Sequence, residues 1–275
     1  MHLPLLKHCL FPVTFFLMLV IAVADTPRAA DTSTETITVR VRENAYPNYF
    51  FKDGQWQGID VDIVRLLMEH AELNYEFVPM PFARALKAID TGGVDIILNL
   101  VKNNERSDYM DWLGPVREHE TALIVQQAHA HEKIDGFPDL IATAHKHGLK
   151  MGYALGTSFS EGLDTRLKKA SFRENFIFVT DDITTARMLQ AGRIFGFFLD
   201  EFEATNLMKE DAPADGMSLA GLSIHTFRLP GSRSGNYFGI SKHLPPKTKI
   251  KLEQSMEALR QNGALDALYK KWGSF

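Results

Sequence analysis

Cysteine is almost absent from this chain of 275 residues, because the only one, Cys9, lies near the N-terminus. The sequence that follows it cannot form an intramolecular disulfide and must be stabilised by its hydrophobic core. Positive charge is also in the minority, since 30 lysines and arginines face 34 aspartates and glutamates and form no basic stripe. Proteins that bind nucleic acid usually carry clustered positive charge, so this composition argues against a nucleic-acid partner.

Common catalytic motifs are missing as well. The sequence contains no G-x-S-x-G, P-loop or H-E-x-x-H stretch, and the loop GTSFSE lacks a nucleophile-elbow pattern. His129 and His131 have i, i+2 spacing, which His145 and His147 repeat, but neither flanking cysteines nor a carboxylate cluster accompany them. These histidines are therefore predicted to be surface residues rather than metal ligands. The sequence predicts neither a cofactor nor an enzyme.

The N-terminus has the features of a secretory signal peptide. A positively charged start precedes an apolar run over residues 9–24 that ends in the sequence A-V-A. Such an ending is typical of cleaved leaders, and the run is shorter than the roughly 20 residues of a membrane-spanning helix. We predict a signal peptide over residues 1–24, with Ala30 as a second possible cleavage point and an uncleaved anchor as the alternative. No later stretch is long and apolar enough to cross a bilayer.

The first half of the remaining sequence reads as a β-α-β-α-β unit. Residues 37–41 alternate between apolar and polar and predict a strand, and residues 74–78 predict a second one. Helical periodicity follows Asp60, the predicted N-cap, and again follows Pro81. The apolar run 94–100 predicts a buried strand. This order of elements is typical of a parallel sheet with helical crossovers.

A second β-α-β-α-β unit of similar size follows, after an extended segment around residues 120–127. Its predicted strands cover residues 150–155, 176–179 and 194–199. A last strand is predicted at 237–241, and the C-terminus is helical over 246–272 with a break at Asn262-Gly263. Two similar halves in tandem predict a protein of two lobes.

Three segments together are similar to a known family. One is YPNYFFKDGQWQGIDVDIVRLL, with an aromatic-proline loop, a short hairpin and G-x-D-x-D before a helix. Another is GGVDIILNLVKNNERSDYMDWLGPV, with G-x-x-D, an apolar strand, a polar turn and Glu-Arg. The third is the C-terminal LDALYKKW. In this order they resemble the bacterial extracellular solute-binding proteins of family 3, the polar amino acid type of type II periplasmic binding protein.

The resemblance implies an α/β fold of two lobes, each a mixed, mostly parallel sheet flanked by helices. Lobe one would contain residues 36–124 and 234–275, and lobe two would contain residues 125–233. The two lobes would close on a ligand in the cleft between them.

The function implied by the resemblance is capture of a small polar solute in the periplasm. The solute would be an amino acid or related carboxylate, bound by a monomer without a cofactor and passed to the permease of an inner-membrane ABC transporter. Two alternatives stay open. One is a ligand sensor that docks on a membrane receptor. The other is an enzyme like the periplasmic cyclohexadienyl dehydratases, with Asp200 or Glu201 as general acid.

Eight ligand-binding residues follow from the same resemblance. Arg106 matches the family arginine that pairs the ligand carboxylate. Its place after a buried strand supports that role, because ligands bind beyond the carboxyl ends of strands and arginine holds carboxylates with a fork of donors. Asp200 matches an acid that contacts the ligand ammonium, with a helix N-cap as the alternative. The other six are aromatic and polar residues expected around the ligand: Tyr46, Tyr49, Asn99, Asn103, Thr157 and Ser158.

The sequence departs from the family pattern at the turn that holds the carboxylate. The family usually has hydroxyl residues there, whereas this chain has Asn99, Val101 and Asn103. Valine has no side-chain donor. Either Asn99 or Asn103 replaces the missing hydroxyl, or the ligand is not an ordinary α-amino acid.

Overall fold

Two five-stranded sheets form the framework of the protein. A computed structural model describes residues 36–42, 44–209 and 216–273, and the predicted signal peptide lies outside these residues. From one edge to the other, the first sheet contains β5 (Tyr75–Pro79), β1 (Ile37–Val41), β6 (Ile96–Val101), β13 (Ser234–Ser241) and β7 (Met110–His119).

Five helices and a small hairpin sheet accompany the first sheet. The helices are α1 (Ile59–Ala71), α2 (Phe82–Asp90), α3 (Asn104–Ser107), α9 (Pro246–Gln261) and α10 (Ala264–Trp272). The hairpin sheet contains β2 (Asn44–Ala45), β3 (Tyr49–Lys52) and β4 (Gln55–Gln57). The break predicted in the C-terminal helical segment separates α9 from α10.

The second sheet has the same number of strands and its own helices. Across the sheet lie β10 (Phe176–Val179), β9 (Met151–Ala154), β11 (Gly196–Asp200), β8 (Thr121–Gln126) and β12 (Leu222–Arg228). The helices of this part are α4 (Phe137–Lys146), α5 (Glu161–Leu167), α6 (Ala170–Arg173), α7 (Asp182–Gln190) and α8 (Glu201–Leu207). A 3-10 turn, Gln127–His129, follows β8.

Each sheet combines parallel and antiparallel pairs. The three strands predicted in each β-α-β-α-β unit are parallel: β5, β1 and β6 in one sheet, and β10, β9 and β11 in the other. The remaining two strands of each sheet pair antiparallel. The sequence did not predict β7, because Gly114 and Pro115 interrupt it like a turn. The resemblance implied mostly parallel sheets, but only half of the strand pairings in each five-stranded sheet are parallel.

The chain crosses between the sheets twice. It leaves β7 at His119 and enters β8 at Thr121, so the first crossing is at Glu120 rather than after residue 124, a position that lies inside β8. It returns between Arg228 of β12 and Ser234 of β13. Among the described residues, no helix is both long and apolar enough to cross a membrane.

The hydrophobic core covers both faces of the sheets. Phe197 and Phe198, consecutive residues of β11, belong to separate core clusters because neighbouring side chains of a strand point to opposite faces. In the first sheet, Val39 of β1 and Ile96 of β6 are fully buried. When both faces of a strand are covered, polar side chains with a functional role are expected at its ends.

The start of α1 differs from the prediction. Gly58, not Asp60, precedes the helix, with φ 124° and no room for a side chain: a Cβ atom would lie 2.3 Å from the carbonyl oxygen of Asn48. Backbone carbonyls of Pro47 and Asn48 accept the first amide protons of the helix, from Ile59 and Asp60. The carboxyl group of Asp60 is therefore not needed as a cap, and it is fully buried.

Candidate functional site

A cavity of about 100 Å³ lies between the two sheets, at the carboxyl ends of β1, β6, β9 and β11. Both sheets contribute to its wall. Six of the eight predicted site residues line it: Tyr49, Asn99, Arg106, Thr157, Ser158 and Asp200. Because ligands of α/β proteins bind beyond the carboxyl ends of strands, this cavity is the candidate binding site.

Arg106 is buried in the wall of the cavity and bridges the two sheets. Asn103 caps α3 and its side chain accepts the Arg106 backbone N–H at 2.8 Å, which fixes the start of the helix. The guanidinium donates to the carbonyl of Val101, beside the first sheet, and to that of Gly156, beside the second, both at 2.9 Å. No carboxylate of the described residues forms an ion pair with it, and Asp164 and Glu105 act on its charge only from longer range.

A second guanidinium, that of Arg40, lines the same cavity. Its Nε donates to the Met80 carbonyl at 2.9 Å and its Nη1 to the Tyr49 hydroxyl at 2.8 Å, whereas Nη2 has no hydrogen-bond partner. Burial lowers the pKa of Arg40, yet an arginine stays protonated in proteins. Arg40 and Arg106 both lie against the ring of Phe82, at 5.3 and 5.8 Å from its centroid. Sequence reasoning missed Arg40.

Asp200 ends β11 and is already paired within the protein. One oxygen accepts the Glu203 backbone N–H at 3.1 Å and so caps α8. The other accepts hydrogen bonds from Arg117 at 3.2 Å and His119 at 2.5 Å. Burial acts to raise the pKa of Asp200, but Arg117 and His119 hold it below the usual range. Asp200 is therefore an ionised cap and counter-ion, which is the alternative that the sequence left open.

The polar residues near Arg106 are linked to one another. Asn103 donates to the Ser158 hydroxyl at 3.1 Å, and Ser158 donates to Asp164 at 2.5 Å. The Thr157 hydroxyl donates to the Ala154 carbonyl at 2.6 Å. Asn103 itself borders a neighbouring cavity rather than the central one. These contacts join the first sheet to the loop after β9.

Asn99 and Tyr46 differ in their relation to the cavity. Asn99 has φ 60°, and its side-chain oxygen accepts hydrogen bonds from Arg117, at 2.9 Å, and from Asn236. Tyr46 packs edge-on to Phe50 at 5.2 Å and against the core of the second sheet. It is not among the residues that line the cavity, so its position is that of a core-packing residue.

A buried polar network adjoins the cavity, and sequence reasoning missed it. Its centre is Arg117 of β7, whose Nη2 donates to Asn48 at 2.8 Å and whose Nε lies 3.9 Å from Asp60. Asn48 in turn donates to Glu203 at 3.2 Å. Burial raises the pKa of Asp60 to about 7 and that of Glu203 to about 8. The network therefore contains two carboxyl groups that hold protons near neutral pH.

An ion pair also joins the two sheets directly. Arg42, the residue after β1, lies 3.5 Å from Asp182, the first residue of α7. Both side chains line the cavity. Together with the Arg106–Gly156 hydrogen bond, this pair holds the two walls of the cavity against each other.

The two protonated carboxyl groups predict how stability changes with pH. Their ordinary pKa values are 4.5 for Glu203 and 3.8 for Asp60. Between those values and about 8, the folded protein holds protons that the unfolded chain releases, so raising the pH destabilises the fold. We expect the thermal midpoint to fall from pH 5 to pH 8, measured by circular dichroism, and Glu203→Gln to reduce that slope. The exposed Glu76→Gln is the control, and a midpoint that rises over this interval would contradict the prediction.

Comparisons with known proteins cover almost all of the described chain. The family model described as "Bacterial extracellular solute-binding proteins, family 3" matches residues 37–275. A relative from Neisseria gonorrhoeae, named "Probable histidine-binding protein", is 24% identical over 221 residues, which is 80% of this chain and 75% of that protein.

Two solved structures show the same fold. One is the arginine-, lysine-, histidine-binding protein ArtJ from Geobacillus stearothermophilus, with a TM-score of 0.69 and 19% identity over 86% of this chain and 95% of that one. The other is the ancestral amino acid-binding protein AncCDT-1, a precursor of cyclohexadienyl dehydratase, with a TM-score of 0.66 and 22% identity over 86% of this chain and 94% of that one. The fold that the sequence motifs implied is thereby confirmed.

Proposed function

Because this chain belongs to the bacterial extracellular solute-binding proteins of family 3, we propose that it captures an amino acid or related carboxylate for an ABC transporter. The ligand lies in the cavity between the two sheets, which form two lobes. We assign it a second anionic group besides its α-carboxylate. The protein acts in the periplasm and delivers its ligand to the permease of that transporter in the inner membrane.

Two buried guanidiniums without carboxylate partners carry the ligand assignment. Arg40 and Arg106 line one cavity and flank one ring. A buried charge without a counter-ion costs several kcal/mol, and a ligand with two anionic groups removes that cost at both arginines. Arg106 holds the α-carboxylate, and the unpartnered Nη2 of Arg40 receives the second anion.

Asp181 is the proposed partner of the ligand ammonium. It lines the cavity, and its carboxylate accepts hydrogen bonds only from Thr180 and Thr184 among the described residues. Asp200, which the family resemblance favoured for this contact, has its charge paired with Arg117. We therefore give Asp200 the role of positioning Arg117 and α8.

The proposed ligand differs in charge from those in the names of two relatives. Those names refer to histidine and to arginine, lysine and histidine. A cationic side chain beside Arg40 would face a like charge at low dielectric, which is unfavourable. The cavity therefore favours an acidic amino acid or a dicarboxylate over a basic amino acid.

Calorimetry of the purified protein against a panel of solutes tests this proposal. The panel contains acidic, neutral and basic amino acids and dicarboxylates. We expect the acidic members to bind and the basic members not to. Tight binding of arginine or histidine, with no binding of any diacid, would overturn the assignment of the ligand as an acidic amino acid or dicarboxylate.

Arg40→Met provides a sharper test of the second anion site. We expect this variant to bind a diacid at least roughly tenfold more weakly, since one charge-assisted hydrogen bond contributes about 1.5–3 kcal/mol. Affinity for a monocarboxylate analogue should change little. The matched control is Arg84→Met, which removes an arginine from the exposed side of α2. If the affinities for the diacid and for the monocarboxylate fell equally, Arg40 would be maintaining the structure of the cavity rather than binding the second anion.

A second candidate function, a dehydratase-like enzyme, rests on one observation. Glu203 lines the cavity, its Oε1 has no hydrogen-bond partner, and burial raises its pKa to about 8. A carboxyl group protonated at neutral pH is able to act as a general acid, whereas ionised Asp200 is not. Incubation with prephenate and arogenate tests this function. Product that forms with the wild type but not with Glu203→Gln would support the dehydratase-like function. If neither protein forms product, this function is excluded.

Transport and sensing share the same binding step, so they need a separate test. Uptake into vesicles that contain a permease and ATPase encoded beside this protein supports transport. Signalling through a neighbouring histidine kinase supports a sensor.

A further inference from the structure

Three side chains with metal-binding groups meet at the end of the second sheet that lies away from the cavity. The ligating atoms of His129, Glu132 and His147 all lie within 4.8 Å of one another. His147 Nε2 is 2.8 Å from a Glu132 oxygen, and the rings of His129 and His147 are 4.2 Å apart. All three residues are partly exposed. The cluster is thus open to solvent and close to metal-site dimensions.

The fold selects one histidine from each i, i+2 pair. His129 ends the 3-10 turn after β8, and His147 follows α4. His131 and His145, the other members of the pairs, are exposed and lie outside the cluster. Glu132 joins because the turn continues beyond His129, with its N–H bonded to the His129 carbonyl. The carboxylate that the sequence pattern lacked is therefore supplied by the turn.

Buried residues lie beneath the cluster and contact all three of its members. The ring of Phe195, which is fully buried, lies 5.3 Å from His129 and 5.9 Å from His147, stacked on the latter. His225, also buried, donates from Nε2 to the Glu132 carbonyl at 2.8 Å. Its Nδ1 accepts the Phe227 N–H, which settles the tautomer. Support of this kind orients metal ligands and raises affinity.

We propose that His129, Glu132 and His147 bind a divalent transition-metal ion of the Zn²⁺ class. Two imidazoles and one carboxylate are a ligand set that zinc uses when its fourth position stays open to water, and imidazole also suits Cu²⁺ and Ni²⁺. Tetrahedral ligands at 2.0–2.2 Å from zinc lie roughly 3.3–3.5 Å apart. Rotation of these surface side chains can bring the ligating atoms from their separations of up to 4.8 Å to the spacing of a zinc site.

Two competing contacts of Glu132 must be released for the metal to bind: the hydrogen bond with His147 Nε2, whose proton the metal displaces, and the ion pair with Lys146. Lys146 Nζ lies 3.3 Å from both Glu132 oxygens. Its side chain is 65% exposed, so it can move into water, and an exposed ion pair of this kind contributes little to stability. The metal replaces this weak pair with a bond to the same carboxylate.

The site is separate from the ligand cavity. β8 runs antiparallel to β11, so the turn after β8 lies beside Phe195, which precedes β11, while Asp200 at the other end of β11 borders the cavity. A strand of five residues spans roughly 16 Å. Metal binding is therefore expected to stabilise the second lobe without contact with the captured solute.

Titration of the full chain, purified without a histidine tag, with ZnCl₂ tests the proposal by calorimetry. We expect one Zn²⁺ per chain and a thermal midpoint that rises with the metal. His129→Ala, Glu132→Gln and His147→Ala should each weaken binding at least roughly tenfold. His131→Ala and His145→Ala are the matched controls and should bind within about twofold of the wild type.

Cobalt provides a readout that general loss of structure does not imitate. Co²⁺ at this site should give the visible absorption of a four- or five-coordinate ion, and His147→Ala should lose that absorption while its metal-free circular dichroism stays unchanged. The absence of stoichiometric Zn²⁺ binding would overturn the proposal. Equal losses in the control variants would overturn it too, because surface histidines would then bind the metal.

Discussion

Replacing Arg117 by methionine should lower the free energy of unfolding by about 3–5 kcal/mol, the cost of removing one partner from a buried ion pair. Arg117 is 5% exposed and lies 3.2 Å from Asp200, which would keep its charge without its main counter-ion. The side-chain oxygens of Asn48 and Asn99 would also lose a donor. Urea unfolding followed by tryptophan fluorescence measures the change.

Arg233→Met is the matched control for that experiment. Arg233 pairs with Glu118 at 3.1 Å, but both side chains are about three-quarters exposed. Exposed pairs contribute less than about 1 kcal/mol, so this variant should be close to the wild type. If Arg117→Met were no more destabilised than Arg233→Met, the buried network would not be a source of stability.

Removing the charge of Asp200 as well should restore part of the stability that Arg117→Met loses. In the double variant Arg117→Met/Asp200→Asn, no ionised carboxylate remains opposite the missing guanidinium. The oxygen of the amide introduced at position 200 would still be able to accept the Glu203 N–H that caps α8. We expect the double variant to be more stable than Arg117→Met alone. Additive losses would show that the two residues act independently.

This network marks the limit of what the sequence could predict. Asp200 was found because it follows a predicted strand, but its partner Arg117 is 83 positions away, on an antiparallel strand that Gly114 and Pro115 hide. Hydrophobic periodicity detects elements, and it does not report which polar residues meet after the elements pack. The parallel units were therefore predictable, whereas the partner of Asp200 was not.

Arg40 was missed for a different reason. The alternation in β1 predicted a strand, and in a strand with one covered face Thr38 and Arg40 would lie opposite the core. β1 lies between β5 and β6 with both faces covered, so Arg40 is buried. Alternation reveals one buried face only when the other face meets water. An arginine inside a central strand near its carboxyl end was the available signal.

The family resemblance, by contrast, singled out Arg106, and the structure places this residue in the wall of the cavity. The resemblance required one local feature, a polar turn after a buried strand, and both parts lie close together in the sequence. The cap from Asn103 to the Arg106 N–H shows why the turn is polar. Asn99 and Asn103, which stand where the family usually has hydroxyl residues, are both hydrogen-bonded within the protein.

Arg106→Ala should weaken binding of the proposed ligand by roughly 30- to 1,000-fold. A forked, charge-assisted pair with a carboxylate contributes about 2–4 kcal/mol, and each 1.4 kcal/mol is a factor of ten in affinity. Arg106→Lys keeps the charge but loses the fork, so its affinity should lie between those of alanine and arginine. Calorimetry with the tightest-binding member of the panel measures all three proteins.

Ligand contact and lobe positioning must be separated for this residue, since Arg106 also donates to Gly156 across the cavity. Arg42→Ala provides the comparison, because it removes another contact between the walls, the pair with Asp182. A role in positioning alone predicts similar losses for Arg42→Ala and Arg106→Ala. A role in carboxylate binding predicts a much larger loss at Arg106, rescued in part by lysine. If Arg106→Ala bound the ligand as tightly as the wild type, the assignment of this cavity would be wrong.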